Sequence, residues 1–137
     1  MKLMSLIRKQ FGVVDKHAFY EDKTLVEVEW WISSVCRFPD LYWGRLRVFS
    51  DGSADAAWDE STTYGFDERA YAETFLAEDE YTRFANLDAD DQDYIGVKAS
   101  DISPPSWNVD GAKFEYLGTY GQAIEHGVGP ERRSPNS

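Results

Sequence analysis

The chain has 137 residues, 42% of them hydrophobic and 15% aromatic, and a formal charge of −11. That length suits one domain with a sizeable core, and the apolar share excludes global disorder. A field this negative disfavours nucleic-acid phosphates and anionic membranes as partners, and it favours encounter with a basic partner protein.

The charge is unevenly spread. Residues 1–50 carry a net of +2, residues 51–93 a net of −12 and residues 94–137 a net of −1. The single cysteine, Cys36, excludes an intrachain disulfide. No apolar run reaches the length of a membrane span, and the N-terminal apolar stretch is too short for a signal-peptide core, so the expected setting is cytoplasmic.

In chain order, Leu3, Leu6, Ile7 and Phe11 recur at helical spacing, with a strand as the competing reading. Residues 24–33 alternate, with Val26, Val28, Trp30 and Ile32 on one side and Glu27, Glu29 and Trp31 on the other, which predicts a half-buried strand. Pro39-Asp40 marks a turn.

The strongest local signal follows. Asp51-Gly52 lies between strand-like arms at residues 41–49 and 54–58 and predicts a hairpin with a two-residue type I′ turn. Ser50 would then face Ser53. One face would carry Trp43, Arg45, Arg47, Phe49, Ala54, Ala56 and Trp58, and the other Leu46, Val48, Asp55 and Ala57. A slip of one residue would exchange these faces for one arm.

Residues 61–65 read as a connection. Asp67 is the expected N-cap of a helical segment over residues 67–85, with Phe66 and Tyr71 at staple spacing; Glu78-Asp79-Glu80 allows a break into two helices. Residues 88–93 (DADDQD) read as a solvated acidic loop, 94–98 as a strand, Pro104-Pro105 as an extended connection and 112–120 as a last strand. Residues 1–126 are expected to form one domain and 127–137 a flexible tail.

No motif names a reaction. Asp88, Asp90 and Gln92 start like an EF-hand loop, but Asp93 stands where glycine is needed and Ala99 where glutamate is needed, so no metal is expected. Phosphate-binding glycine loops, a nucleophile elbow and paired zinc ligands are all missing, so no cofactor is expected. Asp55 and Glu115 are the carboxylates best placed among aromatics, yet an acidic chain supplies such positions by chance. Cys36, in phase with Val28, Trp30 and Ile32, reads as a buried thiol.

These readings combine into an α+β fold: an antiparallel sheet of four to six strands with one main helical segment packed on one face. The expected function is that of a small non-catalytic module, of inhibitor or immunity type, that masks a basic site on a partner protein. The expected partner-binding residues are Trp43, Arg45, Arg47 and Trp58 as anchors, with Glu78, Asp79, Glu80, Asp88, Asp90, Asp91 and Asp93 steering the encounter. The alternative is a small-ligand binder or carboxylate-dependent hydrolase using an aromatic-lined face of the sheet.

Overall fold

The computed structural model describes residues 14–108 and 110–121. The expected N-terminal helix, His126 and the tail lie outside the described residues.

In chain order the elements are α1 (Lys16–Tyr20), β1 (Leu25–Ser33), β2 (Trp43–Phe49), β3 (Ala54–Ala57), β4 (Thr62–Phe66), α2 (Arg69–Glu78), β5 (Tyr81–Arg83), α3 (Ala89–Ile95) and β6 (Lys113–Gly118). Single 3₁₀ turns occupy Phe84–Asn86 and Ala99–Asp101. The strands form one six-stranded sheet in the order β5-β1-β2-β3-β4-β6. All pairs are antiparallel except β4 with β6, which is parallel. The architecture is therefore α+β, with a parallel pair at one edge where an entirely antiparallel sheet was expected.

The hairpin differs from its expected register by one residue. Val48 pairs with Ala54 and Arg47 with Asp55, so the loop is Ser50-Asp51-Gly52. The Asp51 carboxylate accepts from the Ser53 amide at 3.0 Å and from its hydroxyl at 2.6 Å, and Gly52 takes φ +90. An aspartate bonded two residues on and a left-handed glycine together make a three-residue loop. The slip exchanges the faces of β3. Trp58 joins Leu46 and Val48, whereas Asp55 joins Arg45 and Arg47.

One face of the sheet is covered by α2. Phe75, Leu76 and Ala72 of the helix pack on Trp31, Leu46, Ala54, Ala56, Phe66 and Leu117. Trp58 stacks on Phe75 at 4.7 Å and 13°. The alanines of β3 let the helix approach. The helix starts one residue later than expected, with Glu68 at its N-cap. Asp67 is held by the sheet instead: its amide donates to Gly118 and its carboxylate accepts from the Tyr116 hydroxyl at 2.6 Å. The helix stops at Glu78 rather than continuing to residue 85. Glu80 turns the chain with φ 62, and Tyr81 enters the core as the first residue of β5, opposite Ser33.

The other face is covered in two pieces. At one end α1 places Phe19 and Tyr20 against Phe49 and Phe114. At the other, Ile95 of α3 packs with Ile32 and Cys36, bordered by Trp43, Leu87 and Ile102. The buried thiol is as expected. Two expectations fail here for one reason. DADDQD is no loop and residues 94–98 no strand, because Asp88 and Asp91 form a reciprocal capping box that starts α3. Asp90 and Asp91 then sit in its first turn, where the helix dipole favours negative charge. Residues 61–65, expected as a connection, largely form β4, which pairs with both β3 and β6.

Gly65 marks the tightest packing. A Cβ there would lie 2.6 Å from Phe114 Cζ and 3.1 Å from Phe19 Cε1. Gly65→Ala is expected to lower stability by about 1–3 kcal/mol through overpacking. Gly111→Ala, where a Cβ would meet nothing within 4 Å, should leave the urea unfolding midpoint close to that of the wild type.

Candidate functional site

Two regions carry more chemistry than packing requires. The first is the centre of the sheet face between α1 and α3. Cross-strand pairing puts Arg45 opposite Ala57 and Arg47 opposite Asp55. Arg47 Nε donates to Asp55 Oδ1 at 3.0 Å and Nη2 to Oδ2 at 2.6 Å. The Tyr20 hydroxyl donates to the same Oδ2 at 2.6 Å. The Asp55 side chain is 1% exposed, so its charge is matched by a bidentate cation and a phenol rather than by water. Burial, then Asp55, push the Tyr20 phenol well above its ordinary range. Burial disfavours the Arg47 cation, but its bonds to Asp55 outweigh that and raise it.

Arg45 is treated differently. It is 5% exposed, and its Nη1 donates to the Trp107 carbonyl at 3.2 Å. Its Nε and Nη2 have no partner among the described residues. Burial, with Arg47 beside it, lowers its pKa. On β4, one strand beyond Ala57, the buried Thr63 hydroxyl is also without a partner among the described residues. A cavity of about 150 Å³ opens over this row, lined by Lys16, Tyr20, Arg47, Phe49, Thr63, Asp110, Ala112 and Phe114.

The second region is the end of the sheet around the β1–β2 connection. Val35, Phe38 and Tyr42 are exposed there, Phe38 by 51%. The Phe38 amide donates to the Ile95 carbonyl at 2.7 Å, which joins this connection to α3. Tyr94, also 51% exposed, lies under the Arg37 guanidinium at 4.9 Å. The Ser34 amide donates to the Glu80 carbonyl at 2.8 Å, which brings the end of α2 alongside. A broad, open depression lined by Ala89, Gln92, Asp93, Gly96, Val97 and Lys98 adjoins Tyr94.

The expected site residues thus divide between several places. Arg45 is interior and Arg47 is committed to Asp55. Trp43 is half-buried, edge-on to Trp30 at 6.4 Å and to Phe84 at 5.1 Å. Trp58 lies on the opposite face of the sheet, under α2. The acidic residues are brought together at one end. Glu78 and Glu80 are exposed beside Ser34, and Asp79 caps α2. Asp90 and Asp93 are exposed on α3, whereas Asp88 and Asp91 form its capping box. The residues missed were Val35, Phe38, Tyr42 and Tyr94 at that end, and Lys16, Tyr20 and Thr63 at the cavity. An aromatic next to proline between polar residues, as in Arg37-Phe38-Pro39-Asp40, was the available signal for the first group. Nothing local signals the second, since its members come from α1 and β4.

Among the described residues no group of three or more potential metal ligands converges. No helix among them is long and apolar enough to cross a membrane.

Removing one partner of the Arg47–Asp55 pair should strand a buried charge. Asp55→Asn is expected to cost about 3–5 kcal/mol, and Tyr20→Phe about 1.5–3 kcal/mol as one bond to a charged acceptor, both read from denaturant unfolding. Alkali should weaken the fold as well. Burial, with Glu115 and Asp59 nearby, lifts Tyr64 from 10.0 to about 12, and burial, then the bond to Asp67, raises Tyr116 too. Below pH 10 these phenols are protonated in both states and their contribution is complete. As pH rises from 10 toward 12 the unfolded chain ionises first, so stability falls. Phenolate absorbance should show these tyrosines titrating only as the chain unfolds. In comparisons with known proteins, the chain matches no family model, no curated protein and no solved structure.

Proposed function

We propose that this protein is a non-catalytic module, of inhibitor or immunity type, that docks on a basic partner protein through the acid-rimmed aromatic end of its sheet. The observation that carries this reading is the juxtaposition at the β1–β2 connection. The Phe38 amide donates to the Ile95 carbonyl, one residue from exposed Tyr94, whose ring lies under Arg37. Exposed Asp90 and Asp93 share α3 with Tyr94, and exposed Glu80 reaches the same connection through its bond to Ser34, with Glu78 two residues before it. Large exposed aromatics with a rim of charged groups, mostly acidic but including Arg37, match the anatomy of an interface with desolvated anchors and a polar rim. The rim steers a basic partner into range and the aromatics supply the contact that holds it.

This moves the anchors from Trp43, Arg45, Arg47 and Trp58 to Phe38 and Tyr94, and keeps the acidic rim. The hydrolase alternative is less well supported. Both oxygens of Asp55 are already engaged by Arg47 and Tyr20, whereas a general base needs a free oxygen facing a substrate.

A photo-crosslinker at position 38 should capture a basic protein from the native source, while one at Gly52, on a distant turn, should not. With that protein purified, Phe38→Ser and Tyr94→Ala should each weaken binding by about tenfold or more, mostly through faster dissociation, with unchanged unfolding midpoints. Asp90→Lys with Asp93→Lys should slow association and flatten its dependence on ionic strength. Association indifferent to salt, or full affinity in Phe38→Ser, would remove the proposal.

A further inference from the structure

We propose that the cavity between α1 and the sheet binds a small organic carboxylate with a flat apolar body, at a site separate from the partner-docking end. Its volume of about 150 Å³ is close to that of a protein cavity able to hold one benzene-sized molecule. Phe49, Phe114 and Ala112 offer apolar surface, Lys16, Arg47 and Thr63 offer donors, and Tyr20 and Asp110 complete the walls.

Three features select an anion. Thr63 lines the cavity and is 3% exposed, and its hydroxyl has no hydrogen-bond partner among the described residues. Buried hydroxyls are rarely left that way. In the same cross-strand row, two strands over on β2, the buried Arg45 guanidinium keeps two nitrogens without a partner among the described residues. A buried arginine with orphan donors favours negative charge nearby. Third, the ionised groups around the row are Lys16, Arg45 and Arg47 against Asp55 and Asp110, a formal excess of one positive charge in a chain whose total is −11. One surplus cation matches a monoanion better than a phosphate dianion.

In the bound state the carboxylate accepts from the Thr63 hydroxyl and from the Lys16 ammonium, beside the Arg47 guanidinium. The Lys16 ammonium already donates to the Asp110 carbonyl, which fixes it at the rim with further donors to spare. The ring of the ligand lies against Phe114 and Phe49. Phe114 is itself held in place by Phe19, 5.2 Å away, and by the absence of a side chain on Gly65.

The test is calorimetric and NMR titration of the full chain with benzoate, benzyl alcohol and inorganic phosphate at constant ionic strength. Benzoate should bind saturably, with shifts centred on Thr63, Ala112 and Phe114. Benzyl alcohol and phosphate should bind at least about tenfold more weakly. Thr63→Val keeps the shape and removes the unbonded hydroxyl, so its unfolding midpoint should match or exceed that of the wild type. Its benzoate affinity should fall about ten- to a hundredfold, the worth of one bond to a charged acceptor. Ala112→Leu, which fills the cavity, should abolish binding and guards against a folding defect in the first variant. No saturable binding of benzoate, equal binding of benzyl alcohol or phosphate, or undiminished affinity in both variants would overturn the proposal. An interaction mapped to Phe38 and Tyr94 instead would overturn it too, leaving the docking proposal untouched.

Discussion

The buried pair of Arg47 and Asp55 fixes which way the centre of the sheet faces. Asp55 is fully enclosed, and its carboxylate is stable there only because β3 sits in the register that places it beside a bidentate guanidinium. In the register of a two-residue loop, Asp55 would point at α2, among Leu46, Phe66 and Phe75. An unpaired carboxylate in that layer would cost several kcal/mol. The same slip would carry Trp58 away from its stack on Phe75. Turn chemistry and charge therefore select the same register: Asp51 and Gly52 close a three-residue loop, and Arg47 accepts no other arrangement of β3.

That register lets one sheet carry two different interiors. Toward α2 the layer is apolar and aromatic, and the small residues Ala54 and Ala56 give Phe75 and Leu76 room. On the opposite face two aromatic clusters flank a polar centre. Gly65 admits Phe114 and Phe19 over the sheet at one end, and Trp30, Trp43 and Phe84 close the other. The tryptophans serve as cover on both faces: Trp31 and Trp58 under α2, and Trp30, Trp43 and Trp107 packed edge-on together on the other. Leu25, Val26 and Val28 at the start of β1 remain exposed, because β5 pairs only with residues 31–33 of that strand.

Elements whose signals are local were legible in the sequence. The alternation of residues 25–33, the hairpin and the last strand are where periodicity put them, since each rests on side-chain pattern or turn residues close in the chain. What failed was settled by distant partners. Whether Asp67 caps a helix depends on Tyr116 and Gly118 claiming it first. Whether residues 79–85 continue the helix depends on Tyr81 finding a place beside Ser33. The parallel pairing of β4 with β6 joins segments almost fifty residues apart, which no local pattern encodes. The capping box of Asp88 and Asp91 is the exception, a local signal overlooked because four aspartates in six residues look like a loop. For the site, the acidic end was legible as composition, and its aromatics were not, because Phe38 and Tyr94 are brought to one end by the bond between residues 38 and 95 and by Arg37 over the Tyr94 ring.

The outward field follows from how the cations are used. Arg69 and Arg83 are consumed by Glu27, Glu29 and Glu73 along the edge of α2, Lys23 reaches Asp51 while capping the Phe19 ring, and Arg45 and Arg47 are turned inward. No ion pair among the described residues reaches Glu78, Glu80, Asp90 or Asp93. Pairing thus neutralises acids along the edge of α2 and leaves Glu78, Glu80, Asp90 and Asp93 outside it, as it does exposed Asp59, Glu60 and Glu68. The strength of the outward negative field therefore depends on the arginines withdrawn from it as well as on the acids that carry it, so a substitution that freed Arg69 or Arg83 would weaken that field without touching Glu78, Glu80, Asp90 or Asp93.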